Sequence, residues 1–287
     1  MTAPAASPAP ANAPPEPYAN AAYQPLSSHS ALVGLVARKH LETHHPRKLD
    51  WGVGALLAGF LHDIGKLDPH FQTQLSEGPP DSPFGAPPGI HELSWALTHL
   101  AFEPAKVRTA LPATLPWPIV QYAVYWRQNA PINAWETKRF ASLAQLSTKA
   151  GEWMNTYLYK DGLSLLLGDI AKLAGVTLFD VEPESRVTGD VPTPTFDRDA
   201  DLARAGFNPT QRQNDKAMCS AIRQALLFAD RQVSPMGPGE VGDWLHAWRQ
   251  KKLLPDLEHR VREVDDFTTI PGDAFFDQGG AEIRLKR

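Results

Sequence analysis

A histidine and an aspartate stand side by side at positions 62 and 63, and a lysine follows at position 66. His62 offers a nitrogen ligand and Asp63 an oxygen ligand, so the two side chains can bind one divalent metal ion together. Lys66 follows His62 by four residues and Asp63 by three, and a helical backbone would bring all three side chains to one side. A metal ion with an ammonium group beside it can polarise a phosphate. The three residues therefore indicate phosphate chemistry at a metal site.

The segment that leads into this pair is apolar. Residues 52–61 carry no charged side chain, which predicts a helix that is buried on all sides. A histidine and an aspartate at the end of a buried helix cost free energy unless something binds or pairs with them. The alternative is an ordinary helix end with a turn at Gly65. We therefore expect a buried polar site at the end of this helix.

The stretch from His62 to Leu75, HDIGKLDPHFQTQL, resembles the HD superfamily of metal-dependent phosphohydrolases. The pattern His-Asp-x-Gly-Lys after an apolar helix is fairly specific for that superfamily. The Phe71-Gln72 pair that follows is similar to the HD nuclease of type I CRISPR systems. The resemblance implies a helical HD domain, a divalent metal cofactor and hydrolysis of a phosphodiester bond.

Asp230 is the second clue to a metal site. It follows Leu226 by four residues and Ile222 by eight, so it falls on the apolar face of its predicted helix. An ionised carboxylate that faces a core is unfavourable by several kcal/mol unless it is paired or bound to metal. The alternative is an ion pair with Arg231 or another arginine. The Ala229-Asp230 pair resembles the last motif of the CRISPR HD nucleases, which implies that Asp230 is a metal ligand.

Two further histidines match the family's pattern. The resemblance implies that His29, on the apolar face of the first predicted helix, is the first ligand; a buried histidine bonded to the backbone is the alternative. His29, His62, Asp63 and Asp230 then form a set of two histidines and two carboxylates for one ion. Such mixed ligands suit Mn, Fe, Co, Ni or Zn, with Mg as a further option. The resemblance also implies that His91 is a ligand of a second metal. The alternative is that His91 is a surface histidine at the start of a helix.

One feature departs from the family's pattern. The family usually has one or two histidines on the next helix, whereas the corresponding residues 122–131 contain none, and no histidine lies between His99 and His246. A second metal therefore cannot be held in the family's way. Arg127, or Gln128 or Asn129 beside it, is expected to contact substrate phosphate instead, as is Lys66. Three outcomes stay open: one metal, a weakly bound second metal, or an impaired enzyme.

Repeated apolar residues at helical spacing predict an all-α protein, an HD-domain helical bundle with long surface loops. A first helix is expected from residue 27 onward. Further helices are expected at 52–61, near 90–101, at 116–128, 140–174, 211–232 and 244–254, with loops at 78–89 and 181–201. Residues 1–26, rich in Pro and Ala, predict a disordered or extended tail. The domain is expected over 27–252, and 253–287 as an irregular extension or a junction to a further domain.

The composition narrows the class of protein. Hydrophobic residues make up 43% of the 287 residues, which is enough for a core. The net charge of −4 does not suit a protein that coats duplex DNA, although it allows a local basic groove. Cys219 is the single cysteine, so an intramolecular disulfide and a thiolate zinc cluster are excluded. No membrane-spanning run and no secretory signal are evident, and a cytoplasmic protein is expected.

The resemblance and the residues together predict a nuclease that cleaves single-stranded DNA in CRISPR antiviral defence. Asp63 and Lys66 are the expected catalytic residues. No phosphate-binding loop of a motor ATPase occurs in the chain, so a helicase subunit or a C-terminal helicase domain is expected as partner, with a CRISPR surveillance complex. The alternatives are an HD phosphohydrolase of nucleotides or cyclic nucleotides, and a catalytically impaired HD module that binds a partner.

Overall fold

The structure is a computed structural model of the chain. It describes residues 17–67, 111–125 and 212–251, with short pieces at 71–72, 75, 94–95, 97–98, 168–169, 172, 175 and 254. The described helices are α1 (Leu26–His44), α2 (Leu49–Leu61), α3 (Trp117–Tyr125), α4 (Arg212–Val233) and α5 (Pro238–Lys251), with a 3₁₀ turn at Ile64–Leu67 after α2.

The described residues are mostly helical and contain no strand. Their one sheet-like feature is an isolated antiparallel bridge between Tyr18 and Pro25. The predicted all-α class is confirmed at this level. None of the described helices is both long and apolar enough to cross a membrane.

Most of the described helices lie close to the predicted positions, with one clear difference at α5. The pattern predicted a start near Trp244, whereas the helix begins at Pro238. Proline suits the first position of a helix because its fixed φ is already helical and no N–H is needed there. The first turn then closes through Val241, whose N–H donates to the Gly237 carbonyl at 3.1 Å. The loops predicted at 78–89 and 181–201, most of 140–174 and almost all of 253–287 lie outside the described residues.

Helices α1 and α2 pack with their backbones in contact, because each contributes a glycine at the crossing. A Cβ atom on Gly34 would lie 2.6 Å from the Leu56 carbonyl oxygen, and a Cβ on Gly59 would overlap the backbone of Gly34. Only glycine permits so close an approach. The crossing fixes the position of α1 relative to α2, and so of the polar residues that these two helices carry.

Helix α4 covers the α1–α2 pair with an apolar face, and α3 packs against both α2 and α4. The face of α4 contains Cys219, Ile222, Leu226 and Ala229, all essentially buried. Helix α5 contacts α1 and adds Val241, Trp244 and Leu245 to the same core. One apolar cluster thus holds the ends of α1, α2 and α4 in place.

Residues 17–26 form a short reversal of the chain, which we call the N-terminal hairpin. Its Ala19, Gln24 and Leu26 have no exposed surface. The Ala19 N–H donates to the Gln24 carbonyl at 2.8 Å, and the Leu26 N–H donates to the Pro17 carbonyl at 2.7 Å. The boundary predicted at residue 27 therefore lies inside the folded body. The sequence pattern missed this because small and amide side chains, buried through hydrogen bonds, leave no apolar periodicity.

Candidate metal centre

Four polar residues from three separate elements meet in the core. His29 lies near the start of α1, His62 and Asp63 directly follow α2, and Asp230 lies in the last turn of α4. One ligand atom from each residue lies within 4.8 Å of every other, and all four residues are buried. The structure thus brings together the four residues that the sequence analysis proposed as ligands of one ion.

The spacing of the four atoms suits one metal ion. The Nε2 atom of His29 lies 3.4 Å from Asp63 Oδ2 and 3.4 Å from Asp230 Oδ1. The Nε2 atom of His62 lies 3.1 Å and 3.5 Å from the same two oxygens. Ligand atoms held ~2.1 Å from one ion at angles of about 90° to 110° are separated by roughly 3.0 to 3.4 Å. The group could therefore hold a divalent metal ion.

The end of α2 orients His62. Its Nδ1 atom lies 2.7 Å from the carbonyl oxygen of Gly59, one turn earlier in the same helix. A carbonyl only accepts hydrogen bonds, so Nδ1 carries the proton and Nε2 presents its lone pair to the carboxylates. A metal-binding histidine typically donates its other N–H to such an acceptor. The turn after His62 is held by the Gly65 N–H, which donates to Ser94 Oγ at 2.8 Å.

The surroundings of His29 test whether the four residues fit a cation. Its Nδ1 atom lies 2.7 Å from Gln24 Oε1, while its Nε2 atom is buried and makes no hydrogen bond. A buried polar atom without a partner costs about 1–3 kcal/mol. This nitrogen instead faces one oxygen of Asp63 and one of Asp230. A position between a nitrogen lone pair and two carboxylates is favourable for a cation, so the donor set fits a metal.

Asp63 is ionised in the folded protein, although it has no exposed surface. Burial alone would raise the pKa of its carboxyl group. The charge of His62 when it is protonated, the Lys66 ammonium group, and hydrogen bonds from the two histidines in their protonated state outweigh burial, and the pKa lies well below its ordinary value. The Lys66 ammonium donates to Asp63 Oδ2 at 2.5 Å. The carboxylate is therefore ready to bind a cation at neutral pH.

Two of the residues at the centre are partly exposed to solvent. The side chains of His29, His62 and Asp63 have no exposed surface, whereas that of Asp230 is 12% exposed and that of Lys66 is 15% exposed. Asp230 Oδ1 also accepts a hydrogen bond from Ser234 Oγ at 3.0 Å. Arg231, the partner that the sequence offered as an alternative, is exposed to solvent. Solvent therefore contacts the centre at Asp230 and at Lys66.

Two predicted sites lie outside the described residues. They are His91, the expected ligand of a second metal, and Arg127, the expected phosphate contact, with its alternatives Gln128 and Asn129. Both assignments stay predictions.

The structure adds polar residues that the sequence analysis did not assign to the centre. Gln24, placed in the predicted tail, contacts His29. Gln72 Oε1 accepts from the Tyr18 N–H at 2.9 Å, and its Nε2 donates to the carbonyls of Tyr18 and Lys66. It therefore joins the N-terminal hairpin to the turn after His62. Its place beside Phe71 in the motif was a signal for Gln72, whereas no local pattern pointed to Gln24.

No protein-family model, curated protein or solved structure matches the chain. Any assignment of function therefore depends on the motif residues and on the geometry of the four-residue group.

Proposed function

We propose that the chain is a metal-dependent phosphohydrolase of the HD superfamily, and that it is a nuclease for single-stranded DNA in CRISPR antiviral defence. The observation that carries the proposal is the convergence of His29, His62, Asp63 and Asp230 around one position in the core. Two histidine nitrogens with lone pairs face two carboxylates there. Mixed nitrogen and oxygen ligands favour Mn, Fe, Co, Ni or Zn, and Mg is a further option.

The residues of the centre suit hydrolysis of a phosphate ester. If the four residues hold a divalent ion, that ion would supply a water of lowered pKa and polarise a phosphate oxygen. Asp63, whose pKa is depressed, stays ionised, so its carboxylate can hold the metal ion and orient a nearby water by accepting a hydrogen bond from it. Lys66 holds its partly exposed ammonium group beside Asp63, where it can neutralise charge on a phosphate. Asp63 and Lys66 are therefore the proposed catalytic residues.

The choice of single-stranded DNA depends on the motif residues around the centre. Phe71 and Gln72 after the His-Asp pair and Ala229 before Asp230 resemble the CRISPR branch of the superfamily. In the described structure these residues adjoin the centre. Phe71 is buried with its ring centroid 5.9 Å from Lys66 Nζ, and Ala229 has no exposed surface. A surveillance complex and a helicase are the proposed partners.

A nucleotide phosphohydrolase is the second candidate. The observation that favours it is that the described residues hold a single group of four ligands, which suits chemistry at one metal. Single-stranded DNA and a panel of nucleotides and cyclic nucleotides distinguish the two candidates when each is incubated with the purified protein and Mn²⁺ or Ni²⁺. The nuclease proposal expects cleavage of DNA and little release of phosphate or nucleoside from the panel. Hydrolysis of nucleotides alone would favour the second candidate.

A matched pair of variants tests whether cleavage arises at this centre. His62→Ala removes a buried ligand, whereas His246→Ala removes an exposed histidine on α5. We expect loss of cleavage in the first variant and full cleavage in the second. Equal cleavage by both variants would show that the four-residue group takes no part in cleavage.

A further inference from the structure

We infer that Gln24 is a positioning residue of the metal centre: it fixes the tautomer of His29, so that the Nε2 lone pair faces the ion position. The inference extends the proposed metal-binding function and rests on it. Gln24 does not touch the proposed ion position, and it acts through His29.

The hydrogen bonds of Gln24 determine the orientation of its amide. Its Nε2 atom lies 2.9 Å from the Val233 carbonyl oxygen and 2.5 Å from the Met236 carbonyl oxygen. Carbonyl oxygens only accept, so the amino end of the amide must point toward them. The oxygen end, Oε1, then points toward His29 Nδ1 at 2.7 Å. Gln24 has no exposed surface, so water does not compete for these bonds.

The fixed amide leaves one favourable tautomer for neutral His29. Because Oε1 accepts and cannot donate, the proton lies on Nδ1 and the lone pair on Nε2. In the other tautomer a proton on Nε2 would point toward the oxygens of Asp63 and Asp230, each 3.4 Å away. That proton would occupy the position of the cation and oppose metal binding. Gln24 therefore favours the form of His29 that can bind a metal.

Gln24 also connects His29 to the helix that carries Asp230. Val233 is the last residue of α4, and its carbonyl accepts one hydrogen bond from the Met236 N–H at 3.0 Å. The amide of Gln24 supplies a second donor there, 209 positions away along the chain. Asp230 lies three residues before Val233. One buried side chain thus aligns a histidine on α1 and an aspartate on α4 relative to each other.

The two histidines of the centre differ in how their tautomers are held. The acceptor for His62 Nδ1 is a backbone carbonyl of its own helix, at Gly59. The acceptor for His29 Nδ1 is a side chain, which a substitution can remove. The tautomer of His62 therefore serves as an internal control for that of His29.

Substitutions of Gln24 test the inference through a spectroscopic readout that is independent of activity. In Gln24→Met the acceptor and the donor are both lost, and in Gln24→Glu an acceptor is kept. Histidine side-chain ¹⁵N–¹H correlation spectra of the metal-free protein report which ring nitrogen carries the proton. We expect Nδ1–H for His29 in the original protein and in Gln24→Glu, and Nε2–H in Gln24→Met. His62 should stay Nδ1–H in all of them.

Metal affinity is the second readout, measured by titration of Mn²⁺ or Zn²⁺ into the same proteins. Loss of a residue that orients a ligand typically weakens metal binding about 10- to 100-fold. We expect a loss of that size in Gln24→Met and a smaller loss in Gln24→Glu. Asn20→Ala is the matched control, because Asn20 Nδ2 donates to the same turn, at the Ser234 carbonyl, without touching His29. It should keep the original affinity.

The outcomes separate this inference from the proposed function. If the original protein binds no metal, the proposed function fails, while the spectra still test the role of Gln24. If Gln24→Met keeps Nδ1–H at His29, or if Asn20→Ala loses as much affinity as Gln24→Met, Gln24 is only a structural residue. If Gln24→Met does not fold, Gln24→Lys replaces it, because it keeps a donor toward α4 and removes the acceptor. The Nε2–H form is then expected in that variant.

Discussion

At the scale of single residues, the chemistry of the centre depends on which ring nitrogen of each histidine carries the proton. His29 and His62 each direct Nδ1 toward an oxygen that can only accept. Their Nε2 atoms are thereby directed at Asp63 and Asp230. The same four side chains with the opposite tautomers would form a closed network of hydrogen bonds with no need for a cation. The two acceptors thus favour the tautomers that a metal site requires.

Asp63→Ala should abolish metal binding and metal-dependent hydrolysis while the protein stays folded. The change removes a ligand oxygen, and without a bound metal no activated water is available. It also removes a buried charge and leaves Lys66 without its carboxylate partner, so a modest change in melting temperature of either sign is expected. Metal titration, circular dichroism and a cleavage assay measure the three effects. Undiminished cleavage by the purified variant would contradict a catalytic role for the His-Asp pair.

Lys66→Met should separate catalysis from metal binding. The ammonium group pairs with Asp63 Oδ2, the oxygen of Asp63 that faces both histidines, so its removal takes away a competitor for the metal. Metal affinity should be kept or improved, whereas kcat should fall by about 10²–10³, the usual loss of one group that stabilises transition-state charge. Lys66→Arg, which keeps the charge, is the control and should recover part of kcat. A parallel loss of metal affinity and kcat in Lys66→Met would show that Lys66 only maintains the centre.

At the scale of elements, the relation between α1 and α2 sets the distance between the two histidines. The helices cross where Gly34 meets Gly59, and both histidines lie within a few residues of this crossing. A side chain at either glycine would push the helices apart. Helix packing and ligand spacing are therefore coupled in this fold.

Gly59→Ala should lower stability and metal affinity together. Overpacking of a tight contact costs about 1–3 kcal/mol, and here the added Cβ meets backbone, which cannot move aside like a side chain. Gly242→Ala is the matched control, since nothing lies within 4 Å of a Cβ on that residue of α5. It should raise stability by up to about 1 kcal/mol through helix propensity. Thermal melts compare the stability of the two variants, and metal titrations compare their metal affinity. An unchanged metal affinity in Gly59→Ala would show that the helix crossing does not determine the spacing of the ligands.

Asp215→Asn should raise stability at neutral pH. Burial raises the pKa of the Asp215 carboxyl group in the first turn of α4, and its Oδ2 atom is buried without a hydrogen bond. When the pKa of a carboxyl group is higher in the folded than in the unfolded protein, the group stabilises the fold at low pH. This stabilisation is lost as the pH rises from the unfolded pKa through the folded pKa. The variant does not undergo this loss, so its melting temperature should exceed that of the original protein at neutral pH.

The pH dependence of the melting temperature tests whether the buried charge of Asp215 causes the gain in stability. The gain in melting temperature from Asp215→Asn should shrink as pH falls below the folded pKa, because the carboxyl group is then neutral in both states. Asp243→Asn, at an exposed position of α5, should show no such trend. A gain that is constant with pH would point to helix propensity rather than to a buried charge.

At the scale of the whole molecule, metal binding should stabilise the fold, because the ligands come from three elements that meet only in the folded chain. A ligand that binds the folded state at 100 times its Kd adds about 2.7 kcal/mol of stability. We expect the purified protein to contain one tightly bound metal ion per chain. Only His91 matches the family's ligands for a second ion, and a single imidazole with waters binds a divalent ion weakly.

Elemental analysis measures the metal content, and thermal melts with and without a chelator measure the stability that the metal adds. One equivalent of a transition metal and a lower melting temperature after chelation are the expected results. Two tightly held metals per chain would show that side chains other than histidines complete a second site.

The sequence by itself determined the helical class, the positions of most described helices and the His-Asp pair. These features are local: apolar residues recur at helical spacing, and His62 and Asp63 are neighbours. The role of Asp230 could also be predicted from the sequence, because a carboxylate on an apolar helix face costs free energy unless it is paired or bound to metal.

Only the tertiary structure decided which distant residues meet. It brought Asp230 to within 3.4 Å of His29, placed the N-terminal hairpin in the folded body and joined Gln24 to the end of α4 across 209 positions. Periodicity reports on a residue's own helix and carries no information about the partner that a buried amide will find. The Gly34–Gly59 crossing depends in the same way on two helices that the sequence describes separately. Contacts of this kind are decided by packing of the whole chain, since each partner becomes favourable only when the other is in place.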